Sequence, residues 1–263
     1  MLEAMERTTP GFEGLARTTA DAGALLEVLD AAGVERACLI NSVAPDVTGV
    51  DEKVNRFVAD FAKEDPSRLI PFGSLHPKRT KNPRRDVERL ASRLELRGLK
   101  IHPPHQLFPA NAYVGGKLPA LRTIYRTAER EGLPVMVHTG TSIFPGARSK
   151  YGDPMALDDV AQDFPDLTIL MAHGGRPLWC DAAFYILRCH RNVYLDISSI
   201  PPARLLEWFP RIEQISDRVL FGSDWPGPGV KSLREELEAV RDLPLSDSLK
   251  EKLFTTNARR VLP

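Results

Sequence analysis

Short apolar runs of strand length alternate with stretches of helical period from residue 20 to the end of the chain, and this rhythm is what most restricts the fold. The runs centre near residues 38, 71, 100, 136, 170, 195 and 221, at intervals of 25 to 36 residues, room for one helix and two loops between successive strands. They are continuously apolar rather than alternating (Cys38-Leu39-Ile40, Val135-Met136-Val137, Ile169-Leu170-Met171), as strands covered on both faces require. Such strands separated by helices pair in parallel, and 263 residues suit one domain of this kind. The reading is an α/β fold, a (β/α)-barrel of the TIM type, over 1–263 with 1–19 as an irregular or helical lead-in. A closed barrel of this type has eight strands. Only seven runs are visible, and Met1 to Phe12 holds none, so the expectation is a barrel that lacks its first strand and begins downstream of it.

Helices are predicted over Asp21 to Ala32, stopped by Gly33, then Val50 to Lys63, Pro83 to Leu96, Leu118 to Glu131, Pro154 to Phe164 and Trp179 to Cys189. Pro202 to Ile215 reads as one or two short helices, and Ser232 to Arg241, Ser246 to Phe254 and Asn257 to Leu262 close the chain. Pro71 counts against its strand, since proline donates no ladder hydrogen bond. Stretches 103–116, 139–153 and 224–230 read as loops, and each follows a strand, which is where a barrel carries its catalytic face.

Lysine and arginine number 35, as do aspartate and glutamate, so the net charge is zero. That gives no support to a nucleic-acid or anionic-membrane partner. The run Lys78 to Arg85 is basic without interleaved aromatics and reads as a solvated loop and helix start. Cys38, Cys180 and Cys189 have no metal or redox spacing, and the last two fall too far apart on one helix to bridge. Buried or half-buried free thiols in a reducing cytoplasm are expected, with no leader or membrane span visible. Net neutrality permits a homo-oligomer without predicting one.

Three of the strands run directly into a potential ligand: Val137 into His138, Ala172 into His173, and Ser223 into Asp224. Gly98-Leu99-Lys100-Ile101-His102-Pro103 ends another strand, and the terminal Asn257-Ala258-Arg259-Arg260-Val261-Leu262 completes the set. In their order and spacing these segments, with Val193 to Ser198 and Gly222-Ser223-Asp224-Trp225-Pro226, resemble the amidohydrolase-related family. That metal-dependent branch includes aminocarboxymuconate-semialdehyde decarboxylase, aromatic-acid decarboxylases and a pyrone-dicarboxylate lactonase. The resemblance implies one divalent ion, zinc being the expected one, held by a His-x-His pair, a histidine and an aspartate. His138 and Asp224 correspond to the last two, and His173 to the histidine that contacts substrate or water. The His-x-His pair has no counterpart in this sequence.

Each residue also has a plainer reading. Asp224 could cap a turn, and His138 could be a hydrogen-bonded core histidine. Lys100 reads as an inward structural lysine paired with a carboxylate. His102 and His76 could point into the barrel mouth, while Pro103 and Pro104 argue against a helix that would align His102 with His105. Arg148 and Arg176, in loops after strands, suit a carboxylate-bearing substrate, because a guanidinium matches a carboxylate bidentately. His190 lies at a helix end, where a cation complements the dipole. The expected activity is that of a metal-dependent hydrolase or non-oxidative decarboxylase of a small carboxylated cyclic or ring-opened substrate. Asp224 would move the proton and His173 would polarise a carbonyl, with Arg148, Arg176 and His102 against the substrate. The alternative is a binding protein, catalytically impaired for want of half the metal shell. A TatD-like nuclease fits less well, since Lys100 stands where a glutamate is expected.

Overall fold

Seven parallel strands form one sheet in strict chain order: β1 (Ala37–Leu39), β2 (Leu69–Ser74), β3 (Gly98–Ile101), β4 (Val135–His138), β5 (Ile169–Ala172), β6 (Val193–Asp196) and β7 (Val219–Leu220). The structure is a computed structural model and describes residues 12–227, 230 and 232–262. All seven expected strands are present, each followed by helical structure. Register runs without slip from Leu99↔Val135 through Val135↔Ile169 to Ile169↔Val193. Of the expected lead-in, Phe12–Ala20 is helical and the remainder lies outside the described residues.

Alternation along each strand divides the side chains between two cores. Leu99, Ile101, Val135, Val137, Ile169, Met171, Val193 and Leu195 point outward to the surrounding helices. Ile70, Phe72, Met136, Leu170 and Leu220 point inward, where Cys38 and Tyr194 join them and Ala258, Val261 and Leu262 of the last helix pack against them. Residues from β1 to β7 thus share one interior, which requires the sheet to curl. Cys38 of β1 even senses the charge of Asp196 on β6, which together with burial pushes its thiol up to about 12. No pairing closes β7 onto β1 among the described residues. An apolar layer spans that seam instead, with Leu25 and Leu29 of the helix Ala22–Ala32 meeting Leu69, Phe221, Leu233 and Leu237.

Local chemistry fixes the element ends. Asp21 caps the first turn of Ala22–Ala32 by accepting from the Gly23 amide, and Gly33 ends it at φ 68°, a left-handed position open to glycine at no steric cost. The helix expected from Val50 starts at Lys53, because Asp51 Oδ1 accepts from the Lys53 amide and Val50 pairs with Ala44. Asn82 caps Pro83–Arg93, so the basic run is indeed a helix start. Pro71 is tolerated because the β2–β3 ladder begins only at Phe72↔Gly98, and its carbonyl still accepts from the Arg97 amide at 2.8 Å.

Three expectations need correction. The stretch after β3 is not all loop: Pro103–Gln106 forms one helical turn, with both prolines in its first positions, where a missing N–H costs nothing. Residues 246–254 do not make one α-helix, since Asp247–Glu251 passes into a wider π turn at Lys252–Thr256. Cys189 is exposed rather than buried, while all three thiols are free as expected.

Candidate active site at the strand ends

The carboxyl ends of β3 to β7 gather four of the six histidines of the chain. His102 stacks on His105 with ring centroids 3.5 Å apart and on His138 at 3.9 Å, and His138 meets His173 edge-on at 4.6 Å. All four rings are buried. The parity of the strands puts them there, since His138 and Lys100 stand on inward positions of neighbouring β4 and β3. The turn Pro103–Gln106 then lifts His105 over His102. This turn is what sequence reasoning missed, because two prolines suggest an end to structure unless their position in a first turn is foreseen. His76 does not join the group; its ring lies edge-on to Phe108 at 6.2 Å, near Asp46 and Arg79.

Burial holds the rings neutral. His102 lies well below the usual histidine range through burial and then through His105, and His138 through burial and then through His102. Burial and Lys100 bring His105 to about 4. Burial brings His173 to about 3, against the pull of Asp224. Tautomers follow from the partners. His173 Nδ1 is 2.8 Å from the Ser198 carbonyl oxygen, which can only accept, so Nδ1 carries the proton and Nε2 presents a lone pair. His102 Nδ1 accepts from the His105 amide at 3.4 Å, which leaves the proton on Nε2. The expectation that His173 polarises a carbonyl therefore changes sense: a neutral ring with a bare Nε2 accepts a hydrogen bond instead of donating one.

The turn after β6 ties the acidic side of the site together. Asp196 Oδ1 accepts from the Ser198 amide at 2.8 Å, Ser198 holds His173, and Ser199 Oγ donates to Asp224 Oδ2 at 2.5 Å. Ser199, His173 and Asp224 all adopt positive φ (53°, 69° and 60°), a cost that L-residues bear mainly where surrounding structure dictates it. Burial raises Asp196 above the usual carboxylate range. A Cβ on Gly222 would lie 2.7 Å from both Asp196 carboxylate oxygens, so this position must be glycine for the carboxylate to sit where it does. Ser198 closes a segment that carries the family resemblance but has no role assigned by the sequence, and Ser199 had no sequence signal beyond following a strand.

Of the expected site residues, His102, His138 and His173 are brought together and Asp224 is tied to them through Ser198 and Ser199. Arg176 is half-buried, its Nη1 3.4 Å from the Thr141 carbonyl and its Nε buried without a partner. Arg148 is exposed, and its backbone is held on both sides, its amide donating to the Pro104 carbonyl and its carbonyl accepting from the Tyr151 amide. His190 pairs with Asp158 at 2.7 Å, away from the site, in the structural role expected of it. Lys100 is a correction. It is 5% exposed, yet no carboxylate lies within ion-pairing distance among the described residues. Burial lowers it to about 8, opposed by Asp224 and Asp196.

The metal shell does not fit these residues. No group of three His, Cys, Asp or Glu side chains is spaced to hold an ion among the described residues, and the sequence contains no His-x-His. His138 Nε2 is buried without a partner, as a ligand atom would be, but one oxygen of Asp224 is already taken by Ser199. Two donors fall short of the closed or three-ligand sets that hold catalytic zinc.

A parallel sheet curled around a polar mouth of histidines, with helices outside, is the arrangement of a barrel of the TIM type. The family model of the amidohydrolases matches residues 13–263, and the chain belongs to that family. Among curated relatives it is similar to a gamma-resorcylate decarboxylase of a Rhizobium species, 20% identical over 90% of this chain and 85% of the relative. It is also similar to the 2-amino-3-carboxymuconate-6-semialdehyde decarboxylase of Dictyostelium discoideum, 22% identical over 82% of this chain and 67% of the relative. Among solved structures, an uncharacterised TIM-barrel protein of Bordetella bronchiseptica superposes with a TM-score of 0.72 at 25% identity, over 91% and 81% of the two chains. A 2,6-dihydroxybenzoate decarboxylase bound to 2,6-dihydroxybenzoate gives 0.68 at 18%, over 90% and 86%. A 5-carboxyvanillate decarboxylase of Novosphingobium aromaticivorans, in complex with manganese and a nitrobenzoic acid, gives 0.66 at 18%, over 98% and 90%. At this identity the last two speak for the fold. No helix among the described residues is long and apolar enough to cross a membrane.

Proposed function

We propose that this chain acts on a small carboxylated ring, or the product of its opening, as a hydrolase or non-oxidative decarboxylase. The observation that carries the reading is the pairing of hydrogen-bond acceptors and cations at one mouth, with His173 and Lys100 buried in it and Asp224 exposed at its rim. His173 Nε2 and the free oxygen of Asp224 accept, while Lys100 and Arg176 bring positive charge. A ring bearing both a hydroxyl and a carboxylate satisfies both sets. The hydroxyl donates to His173 Nε2, and the carboxylate turns toward the cations. In a decarboxylation the ring carbon gains a proton, its bond to the carboxyl carbon breaks with the electron pair left on the ring, and carbon dioxide departs. Asp224 is the group placed to hold and return the proton, its other oxygen fixed by Ser199. The same pair would accept the proton of an attacking water in a hydrolysis.

The test is a panel of hydroxylated benzoates, carboxymuconate-type acids and cyclic lactone acids, followed for carbon dioxide release and for ring opening. Turnover of at least one compound is expected. Asp224→Asn should reduce it by about 10²–10⁴-fold, the usual span for a positioned acid–base group, without shifting the melting temperature. Failure of the whole panel to bind or react defeats the reading. A second reading, a binding protein that no longer turns its ligand over, is favoured by the missing metal shell and is distinguished by tight binding without product.

A further inference from the structure

Lys100 is a buried cation for which the described residues supply no ion pair. Its neighbours in sequence, Leu99 and Ile101, are fully buried in the outer core, so alternation turns Lys100 into the barrel. Its backbone is pinned by Ser74 Oγ, which donates to the Lys100 carbonyl at 2.8 Å, so the side chain rises from a fixed base on a central strand. The ammonium has three protons to donate, and no carboxylate among the described residues forms an ion pair with it. It also sits at the hub: its charge acts on His102, His105, His138 and His173 together, and Asp196 and Asp224 act on it. A buried ammonium with no carboxylate paired to it is unfavourable unless an anion or a polar ligand completes it.

Building on the proposed function, we infer that Lys100 is the cation that receives the substrate's carboxylate. The neutral imidazoles around it suit this role, since they add hydrogen-bonding capacity without a competing negative charge. The charge balance agrees. The charges of Asp224 and Asp196 act on Lys100 and that of Asp224 on Arg176, and an ammonium whose charge also reaches His138 disfavours a divalent ion there. Metal loading and carboxylate capture by Lys100 are therefore alternatives, which makes the inference testable.

The experiment uses the full chain stripped with a chelator, and calorimetric titration with 2,6-dihydroxybenzoate and with resorcinol, the same ring without the carboxylate. The stripped protein should bind the acid at least about tenfold tighter than resorcinol, the scale of one charge-assisted contact. Added zinc or manganese should change that affinity by less than about twofold. Lys100→Met should lose the preference for the acid and keep its affinity for resorcinol, while the exposed-residue control Lys150→Met binds as the parent does. Should Lys100→Met fail to fold by circular dichroism, Lys100→Gln replaces it. Lysine carbon-13 spectra of the parent then supply an independent readout, in which the acid, and not resorcinol, must shift the signal of a buried lysine. Undiminished preference in the variant, or a preference that appears only with metal, overturns the inference and leaves the proposed function standing. Binding of neither compound, with or without metal, overturns the inference, and the proposed function then falls only if the whole panel fails as well.

Discussion

The lower and upper halves of the barrel interior are built by the same strands at the same inward parity, and they differ in almost everything else. In the lower half Ile70, Phe72, Met136, Leu170 and Leu220 interlock and are sealed by Ala258, Val261 and Leu262. One or two residues further along, the same strands present Ser74, Lys100, His138, Asp196 and Gly222, and the loops add His173 and Asp224. The lower half satisfies itself, for every side chain there is apolar or packed against apolar neighbours. The upper half does not: His138 Nε2, His105 Nδ1 and Arg176 Nε are buried without partners, and Lys100 has no ion pair. Unmet polar groups of this kind cost stability, so the fold invests in the lower half what the site spends in the upper.

The widest separation between the halves should come from acid. The folded state keeps His102, His105, His138 and His173 below their ordinary values, so the unfolded chain binds more protons once the pH falls beneath its histidine value of about 6.5. Stability is therefore full above that pH and is lost on the way down toward about 4 for His105 and about 3 for His173. Unfolding at pH 5.5 should take up roughly three protons, a slope of about 4 kcal/mol per pH unit. Urea melts between pH 7 and pH 5 give this slope, and a flat profile would show that the rings are charged or open to solvent. Phe72→Ala probes the lower half alone. Its ring is fully buried and fills the space left by Gly98, so about 3–5 kcal/mol should be lost at every pH, with ligand binding retained in whatever remains folded. Gly222→Ala lies on the boundary. Its methyl group displaces the Asp196 carboxylate, for about 1–3 kcal/mol of stability, and should weaken ligand binding more than Phe72→Ala does. Equal binding by the two variants would erase the division drawn here.

The strands were legible because a buried parallel strand needs an unbroken apolar run, and Val135-Met136-Val137 or Ile169-Leu170-Met171 has few other uses. Their ends were legible for the same reason, since the first polar residue after such a run, as His138 is after Val135-Met136-Val137, falls at the mouth. Helix starts were legible where a side chain caps them, at Asp21 and Asn82. His105 was not, because its position depends on a single helical turn whose prolines could as well have ended the structure. The roles of Ser198 and Ser199 were not, because what a serine after a strand binds is not fixed until the histidine and carboxylate beside it are in place.

What the sequence determined by itself was the set of strands, their order and which residues reach the rim, all of which follow from local periodicity and covalent spacing. Only the tertiary structure decided which of those residues meet, which nitrogen of His173 keeps its proton, and that Lys100 stands buried without a carboxylate beside it. Those outcomes depend on the curl of the sheet, which brings together groups from β3 to β7, and on hydrogen-bond partners more than twenty residues away in the chain.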